Sequence, residues 1–328
     1  MCAGPDRDPR ASHMGLFRRS PRTKTPSLAV DVGGGLRLRT PIIASSGTFG
    51  YGVEFAGLVD LKRLGALVVK GISLEPAAGH PAPRIVETPA GLLNAIGLQN
   101  IGVRAFVEEK LPQLRALGTR VVVNCWGRSE HEFAEVAARL SEAPGVDALE
   151  VNISCPNKLE WGRIIASDLR ATAAVVRAVR ANTRLPLWVK LSPNVTNIVE
   201  FAEAAEEAGA DGLSLINTLV GMAVDAETRR PILTNVTGGL SGPAIKPVAL
   251  HMVHRVARAV RVPVIGIGGI RSGSDAVEFL LCGARAVQVG TATFCDPNAA
   301  VRITEELASY LVRHDMDDVN ELVGALQA

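Results

Sequence analysis

Short apolar runs recur along most of the chain, and each closes on a polar residue or a glycine. They are PIIAS (41–45), ALVVK (66–70), RVVVN (120–124), ALEVN (148–152), PLWVKL (186–191), GLSLIN (212–217), PVIGIGG (263–269) and AVQVGT (286–291). All are too short for helices and rich in Val, Ile and Leu, as parallel strands buried on both faces should be. Helical periodicity fills several of the gaps, at 130–143, 167–182, 197–212 and 273–284. Ser-Asp pairs open the second and fourth of these helices and predict their N-caps, and glycines close the third and fourth. Ahead of the first run, LAVDVGGGLRLR (28–39) alternates polar and apolar residues around three glycines, a hairpin signal. Eight strand–helix units behind a hairpin predict an α/β fold, a (β/α)8 barrel, with a doubly wound open sheet as the alternative. The stretches 71–119 and 218–262 exceed what a simple crossover needs and predict long loops over the active face.

The chain has 328 residues, 47% of them hydrophobic, which is enough for one full core without a second domain. No apolar run approaches the ~20 residues that span a bilayer. A formal net charge of +2 gives no electrostatic case for nucleic acid. Residues 1–26 hold Arg7, Arg10, Arg18, Arg19, Arg22 and Lys24 against Asp6 and Asp8, with no apolar core of a secretory signal. They read as a disordered basic tail, with Met14 as an alternative start, before a barrel over 27–328. The five cysteines (Cys2, Cys125, Cys155, Cys282 and Cys295) have no metal or cluster spacing. That fits a reduced, cytoplasmic protein whose thiols are mostly buried.

Active sites of such barrels lie at the C-terminal ends of the strands. The run ends here are Ser45 and Ser46, Lys70, Asn124, Asn152, Lys190, Asn217, Gly268 and Gly269, then Gly290 and Thr291. Lysine and asparagine are poor strand residues and costly to bury unpaired, so their convergence on one mouth points to a polar ligand. GIGG and VGT end the seventh and eighth runs, where barrels often hold a phosphate; tight strand–helix turns would use the same glycines. GIGGIRSG puts Arg271 on the third glycine of a dinucleotide fingerprint, so none is present. Asn94 opens NAIGLQN (94–100), a loop of amide donors within the first long excursion. Cys155 in NISCPN (152–157) follows the fourth strand, where a thiol near cations can act as base or nucleophile. Cys125, Cys282 and Cys295 lack that placement and read as packing. His80, His131, His251, His254 and His314 end no strand, so a metal site or a serine triad has little support.

SSGTFGYG (45–52), NAIGLQN, NISCPN, VKLSPNV (189–195), INTLVGM (216–222), TGGLSGPAIKPVAL (237–250) and GIGGI (266–270) together resemble the dihydroorotate dehydrogenase family, in order from about residue 28 to 297. NAIGLQN with GGLSGPAIKP is similar to the class 1B catalytic subunit. The resemblance implies an FMN-binding barrel that oxidises dihydroorotate to orotate in pyrimidine biosynthesis. It implies Cys155 as the base taking the C5 proton while hydride leaves C6. Lys190 then matches the lysine beside the flavin's pyrimidine end, and Lys70 lies between flavin and substrate. Asn94, Ala95, Ile96, Gly97 and Leu98 match the loop holding the substrate carboxylate. Asn152, Asn217 and Thr218 match contacts to the substrate ring, with Asn157 a weaker candidate. Ser46, Gly71, Asn124, Asn152, Ile216 and Gly242 match flavin contacts, and Gly268, Gly269, Gly290 and Thr291 the FMN phosphate site. Cysteine rather than serine as the base, and a tail without an apolar face, separate the chain from the membrane-linked class 2. With no nicotinamide fingerprint and no cluster ligands of its own, the chain is expected as a homodimer bound to a second subunit carrying FAD and a 2Fe–2S cluster. A fumarate-linked class 1A-like enzyme, a dihydropyrimidine dehydrogenase-type barrel and a non-catalytic flavin subunit remain as alternatives. Cys125 and Trp126 depart from the family pattern, where smaller or aliphatic residues follow Asn124.

Overall fold

The computed structural model describes residues 25–154 and 165–327. Cys155, Asn157 and the tail up to residue 24, with Met14, lie outside the described residues. In chain order the strands are β1 (Val30–Asp31), β2 (Arg37–Leu38), β3 (Ile42–Ala44), β4 (Ala66–Ile72), β5 (Ile85–Thr88), β6 (Gly91–Asn94), β7 (Arg120–Cys125) and β8 (Ala148–Asn152). They continue as β9 (Leu187–Lys190), β10 (Gly212–Leu215), β11 (Leu219–Met222), β12 (Val224–Asp225), β13 (Arg230–Pro231), β14 (Thr237–Ser241), β15 (Val264–Ile267) and β16 (Ala286–Val289).

β3, β4, β7, β8, β9, β10, β15 and β16 close into a parallel barrel in that order, so every predicted run is a barrel strand and the open-sheet alternative is excluded. Their side chains are sealed on both faces: Ile42, Ile43, Leu67, Val68, Val122, Val123, Leu149, Val189, Leu213, Ile265 and Val287 are fully buried. Burying each such side chain stabilises the fold by about 1.5–3 kcal/mol before entropy is counted. That continuous burial is why these segments carry no polar alternation.

The predicted helices form at Glu130–Glu142, Leu169–Ala181, Ile198–Glu207 and Gly273–Leu281. Asp168 caps the second, accepting from the N–H groups of Arg170 and Ala171. The fourth helix corrects the expected cap. Ser272, not Ser274, is its N-cap, and Asp275 completes a reciprocal capping box from the third helical position.

β1 and β2 form the expected hairpin. It seals the N-terminal end of the barrel: Trp188 Nε1 donates to Val32 O at 2.9 Å, and a Cβ on Gly33 would lie 1.9 Å from Asp211 O. Gly33 also has φ +93°, so only glycine makes this turn. The opposite mouth carries an unforeseen element. The two long excursions are not merely loops but pair into one antiparallel sheet in the order β11-β14-β6-β5. Its register sets Asn94 opposite Gly239 and Leu219 opposite Leu240.

Candidate active site

Barrel register places the polar strand ends side by side. Asn124 faces Glu150 across β7–β8, Asn152 faces Lys190 across β8–β9, and Lys190 faces Ser214 across β9–β10. Glu150, Ser214 and Gln288 belong to the fourth, sixth and eighth barrel strands, as one interior layer should. Glu150 is the hub. Its Oε1 accepts from Asn124 Nδ2 at 2.7 Å and lies 3.4 Å from Lys190 Nζ. Its Oε2 accepts from Ser214 Oγ at 2.8 Å and from Gln288 Nε2 at 2.6 Å. Lys190 Nζ in turn donates to Ser46 Oγ at 3.0 Å, and Ser45 Oγ donates to Gln288 Oε1 at 3.1 Å. Burial pushes the Glu150 carboxyl up, but Lys190 and the hydrogen bonds from Gln288, Asn124 and Ser214 outweigh it and hold it below the usual carboxylate range.

Glu150, Ser214 and Gln288 lie inside their runs, so the run ends alone do not point to them. The signal was present: each is a polar residue in the middle of an otherwise apolar strand, ALEVN, GLSLIN and AVQVGT.

A second cluster forms where β8 and β10 end. Ser154 Oγ donates to Asn152 Oδ1 at 2.7 Å and accepts from Asn217 Nδ2. The residue immediately before Cys155 therefore joins two of the predicted asparagines. Asn194 extends the cluster: its Nδ2 donates to Thr218 O at 3.0 Å and its Oδ1 accepts from Val220 N at 2.9 Å. Ile216 is buried against the core beneath, its N–H donating to Ile267 O at 3.0 Å.

Asn94 ends β6 rather than lying in a loop, which corrects its expected setting, and its Nδ2 donates to Gly239 O at 3.3 Å. Beyond it, Gly97 and Leu98 take left-handed backbone, with φ +74° and +56°. The segment is braced from outside. His80 N donates to Ile96 O at 3.0 Å, and Arg84 Nη2 donates to Gln99 Oε1 at 2.6 Å. Asn100 is buried behind the segment, donating to Ser73 Oγ at 2.8 Å and Leu98 O at 3.0 Å. Neither His80 nor Arg84 could be found from strand ends, because both act from an excursion. Burial lowers the Lys70 ammonium pKa, Arg84 lowers it further, and Glu54 works the other way.

Glycines complete the mouth. Gly268 and Gly269 have φ +131° and +75°, and a Cβ on Gly269 would lie 2.9 Å from Gly242 O. Gly242 packs as closely on Gly91, while Thr291 Oγ1 donates to Ser241 Oγ at 2.8 Å. Gly290 adjoins Ser45, and Gly71 sits against Asn124, where a Cβ would come within 2.8 Å of Oδ1. The predicted residues that end barrel strands thus gather at one end of the barrel, bare backbone alongside amides and a lysine. That donor set suits a large, planar, polar ligand with an anionic end, and so fits a flavin mononucleotide.

The expectation for the other thiols needs correction. Cys125 is buried, its pKa pushed up to about 12 by burial and then by Glu150, but Cys282 is half-buried and Cys295 exposed. Among the described residues, no group of three or more His, Cys, Asp or Glu could hold a metal ion, and no helix is long and apolar enough to cross a membrane.

The family model for dihydroorotate dehydrogenase matches residues 27–311. A protein of Citrifermentans bemidjiense named "Dihydroorotate dehydrogenase B (NAD(+)), catalytic subunit" is 58% identical over 302 residues, 92% of this chain and 99% of its own length. Its namesakes from Geotalea uraniireducens and Geobacter sulfurreducens are 59% and 58% identical, over 301 and 302 residues. Each alignment covers 92% of this chain, with 98% and 99% of the respective relative.

Proposed function

The chain belongs to the dihydroorotate dehydrogenase family, and from that premise we propose that it is a catalytic subunit oxidising dihydroorotate to orotate in cytoplasmic pyrimidine biosynthesis, with electrons passed to NAD through a partner subunit. The observation that carries this reading is the buried Lys190–Glu150–Asn124 network at the strand ends, in a chain that also braces segment 94–98 from outside.

Forming the C5–C6 double bond of orotate requires loss of a proton from C5 and of hydride from C6. FMN, when bound, supplies the acceptor for that hydride. Cys155 takes the C5 proton on its sulfur; an ordinary thiol titrates near ~8.5, and neighbouring cations favour the thiolate. Asn152 and Asn217, joined through Ser154, hold the chain just ahead of Cys155 and present amides to the substrate ring together with Thr218, and Asn157 is a weaker candidate for the same role. Asn94, Ala95, Ile96, Gly97 and Leu98 hold the substrate carboxylate, and Lys70 supplies positive charge between the ligands. Ser46, Gly71, Asn124, Asn152, Lys190, Ile216 and Gly242 would hold the flavin, with Gly268, Gly269, Gly290 and Thr291 at its phosphate. Glu150 keeps the Lys190 ammonium in position and anionic compensation at hand, so that a cation can stay buried there.

The expected assembly is a homodimer bound to a second subunit with FAD and a 2Fe–2S cluster. Purifying the native complex tests it: a cluster-free preparation that reduces NAD would overturn that assembly. The activity itself is tested by an anaerobic visible spectrum of the purified chain before and after dihydroorotate. Flavin bands that bleach support the reading, bands that stay oxidised refute the substrate, and a colourless chain that does not take up FMN refutes the cofactor.

A further inference from the structure

β7 ends on Cys125 and the chain continues into Trp126, the two residues that depart from the family pattern. Trp126 N donates to Ile72 O at 2.9 Å, so the pairing with β4 runs one residue beyond the strand. Asn124 reaches inward to Glu150, and Trp126 follows two residues later. Its ring lies against Gly71: a Cβ there would fall 3.3 Å from Trp126 Cδ1 and 3.8 Å from Nε1. Any larger residue at 71 would meet the indole as well as the Asn124 amide. The Arg128 guanidinium lies 5.8 Å from the centre of the indole ring.

Trp126 is 2% exposed, and its Nε1 is one of three buried side-chain polar atoms with no hydrogen-bond partner among the described residues. The other two are the hydroxyls of Thr40 and Thr119, which precede β3 and β7 at the closed end of the barrel. Of the three, only the indole lies beside Gly71 and Asn124 at the C-terminal ends of the strands. An indole N–H can only donate, and when buried it normally finds an acceptor. Trp188 obeys that rule through Val32 O.

We propose that Trp126 is a cofactor-contacting residue of this chain, its indole N–H donating to an acceptor atom of the flavin, with Gly71 kept bare to admit the ring. The inference rests on the reading of this mouth as a flavin site. It assigns a role to the departure after Asn124: the indole binds the flavin.

Two measurements on the full-length chain test it. FMN binding is titrated by flavin fluorescence with the wild type and with Trp126→Phe, which keeps an aromatic ring and removes the N–H. The loss of one hydrogen bond predicts about tenfold weaker FMN binding in the variant. Separately, the wild-type chain labelled with 15N at the indole nitrogens is compared with and without FMN by NMR, which needs no substitution. The Trp126 indole resonance, identified by its absence in Trp126→Phe, is expected to move downfield with FMN. Equal FMN affinities together with an unmoved resonance overturn the proposal while leaving the flavin site standing. A wild type that takes up no FMN overturns the flavin reading itself.

Discussion

Lys190 Nζ and Glu150 Oε1 lie 3.4 Å apart with side chains 6% and 0% exposed, an ion pair enclosed within the barrel. Such a pair adds little stability over an apolar core, but breaking it strands a buried charge. Glu150→Gln should therefore destabilise the chain by roughly 3–5 kcal/mol, read as a lower urea midpoint. The double variant Glu150→Gln, Lys190→Met should recover part of that loss. A double variant no more stable than the single one would contradict this account.

Acid should act on the same pair. The Glu150 carboxyl is held below its ordinary range in the folded chain, so its contribution is fully present above the unfolded carboxylate pKa of about 4.3 and lost as pH falls through the folded value. Thermal melts of the wild type and Glu150→Gln should run parallel from pH 7 down to about pH 5, then converge below it, because a protonated Glu150 leaves Lys190 unpaired just as glutamine does. Convergence already near neutrality would show that Glu150 is not the titrating group.

The thiols should separate by reactivity. Cys155→Ser is expected to slow flavin reduction by dihydroorotate on the order of 10²-fold or more with FMN still bound, because serine is a far weaker base. Stopped-flow absorbance measures this, and an unchanged rate removes Cys155 from the mechanism. Cys125, with its pKa pushed up to about 12, should resist iodoacetamide in the folded chain, whereas exposed Cys295 should react. Peptide mass spectrometry reads both.

Arg84 should act on substrate binding at one remove. Its guanidinium ties Gln99 Oε1 at 2.6 Å and His80 O at 3.2 Å, so Arg84→Met loosens both the residue after the braced segment and the His80 backbone that holds Ile96. The KM for dihydroorotate should rise several-fold with a much smaller change in kcat, and Arg84→Lys should restore little, since a single ammonium cannot reproduce the fork. A pure kcat effect would place Arg84 elsewhere in the mechanism.

The barrel was legible because Val, Ile and Leu runs buried on two faces leave an unmistakable pattern, and the hairpin because three glycines mark its turn. The sheet over the mouth was not. GLLN and TGGLS are short, broken by glycine and far apart in the chain, and their pairing is decided by tertiary contact rather than local pattern. At the site, the run ends led to Asn124, Asn152 and Lys190 but passed over Glu150, the group that allows Lys190 to be buried. An acidic residue inside an apolar strand is costly unless paired, and that cost was itself the clue.

The sheet over the mouth has a consequence for inheritance. Cut between the fourth and fifth barrel strands, the chain yields halves that each own one excursion: β5 and β6 go with the first, β11 and β14 with the second. The Val32–Trp188 hydrogen bond straddles the same cut at the other end. Half-barrels are therefore not exchangeable parts here. A chimera that takes its second half from a relative must bring a β14 that still registers with β6, or it loses the lacing over the C-terminal ends of the barrel strands.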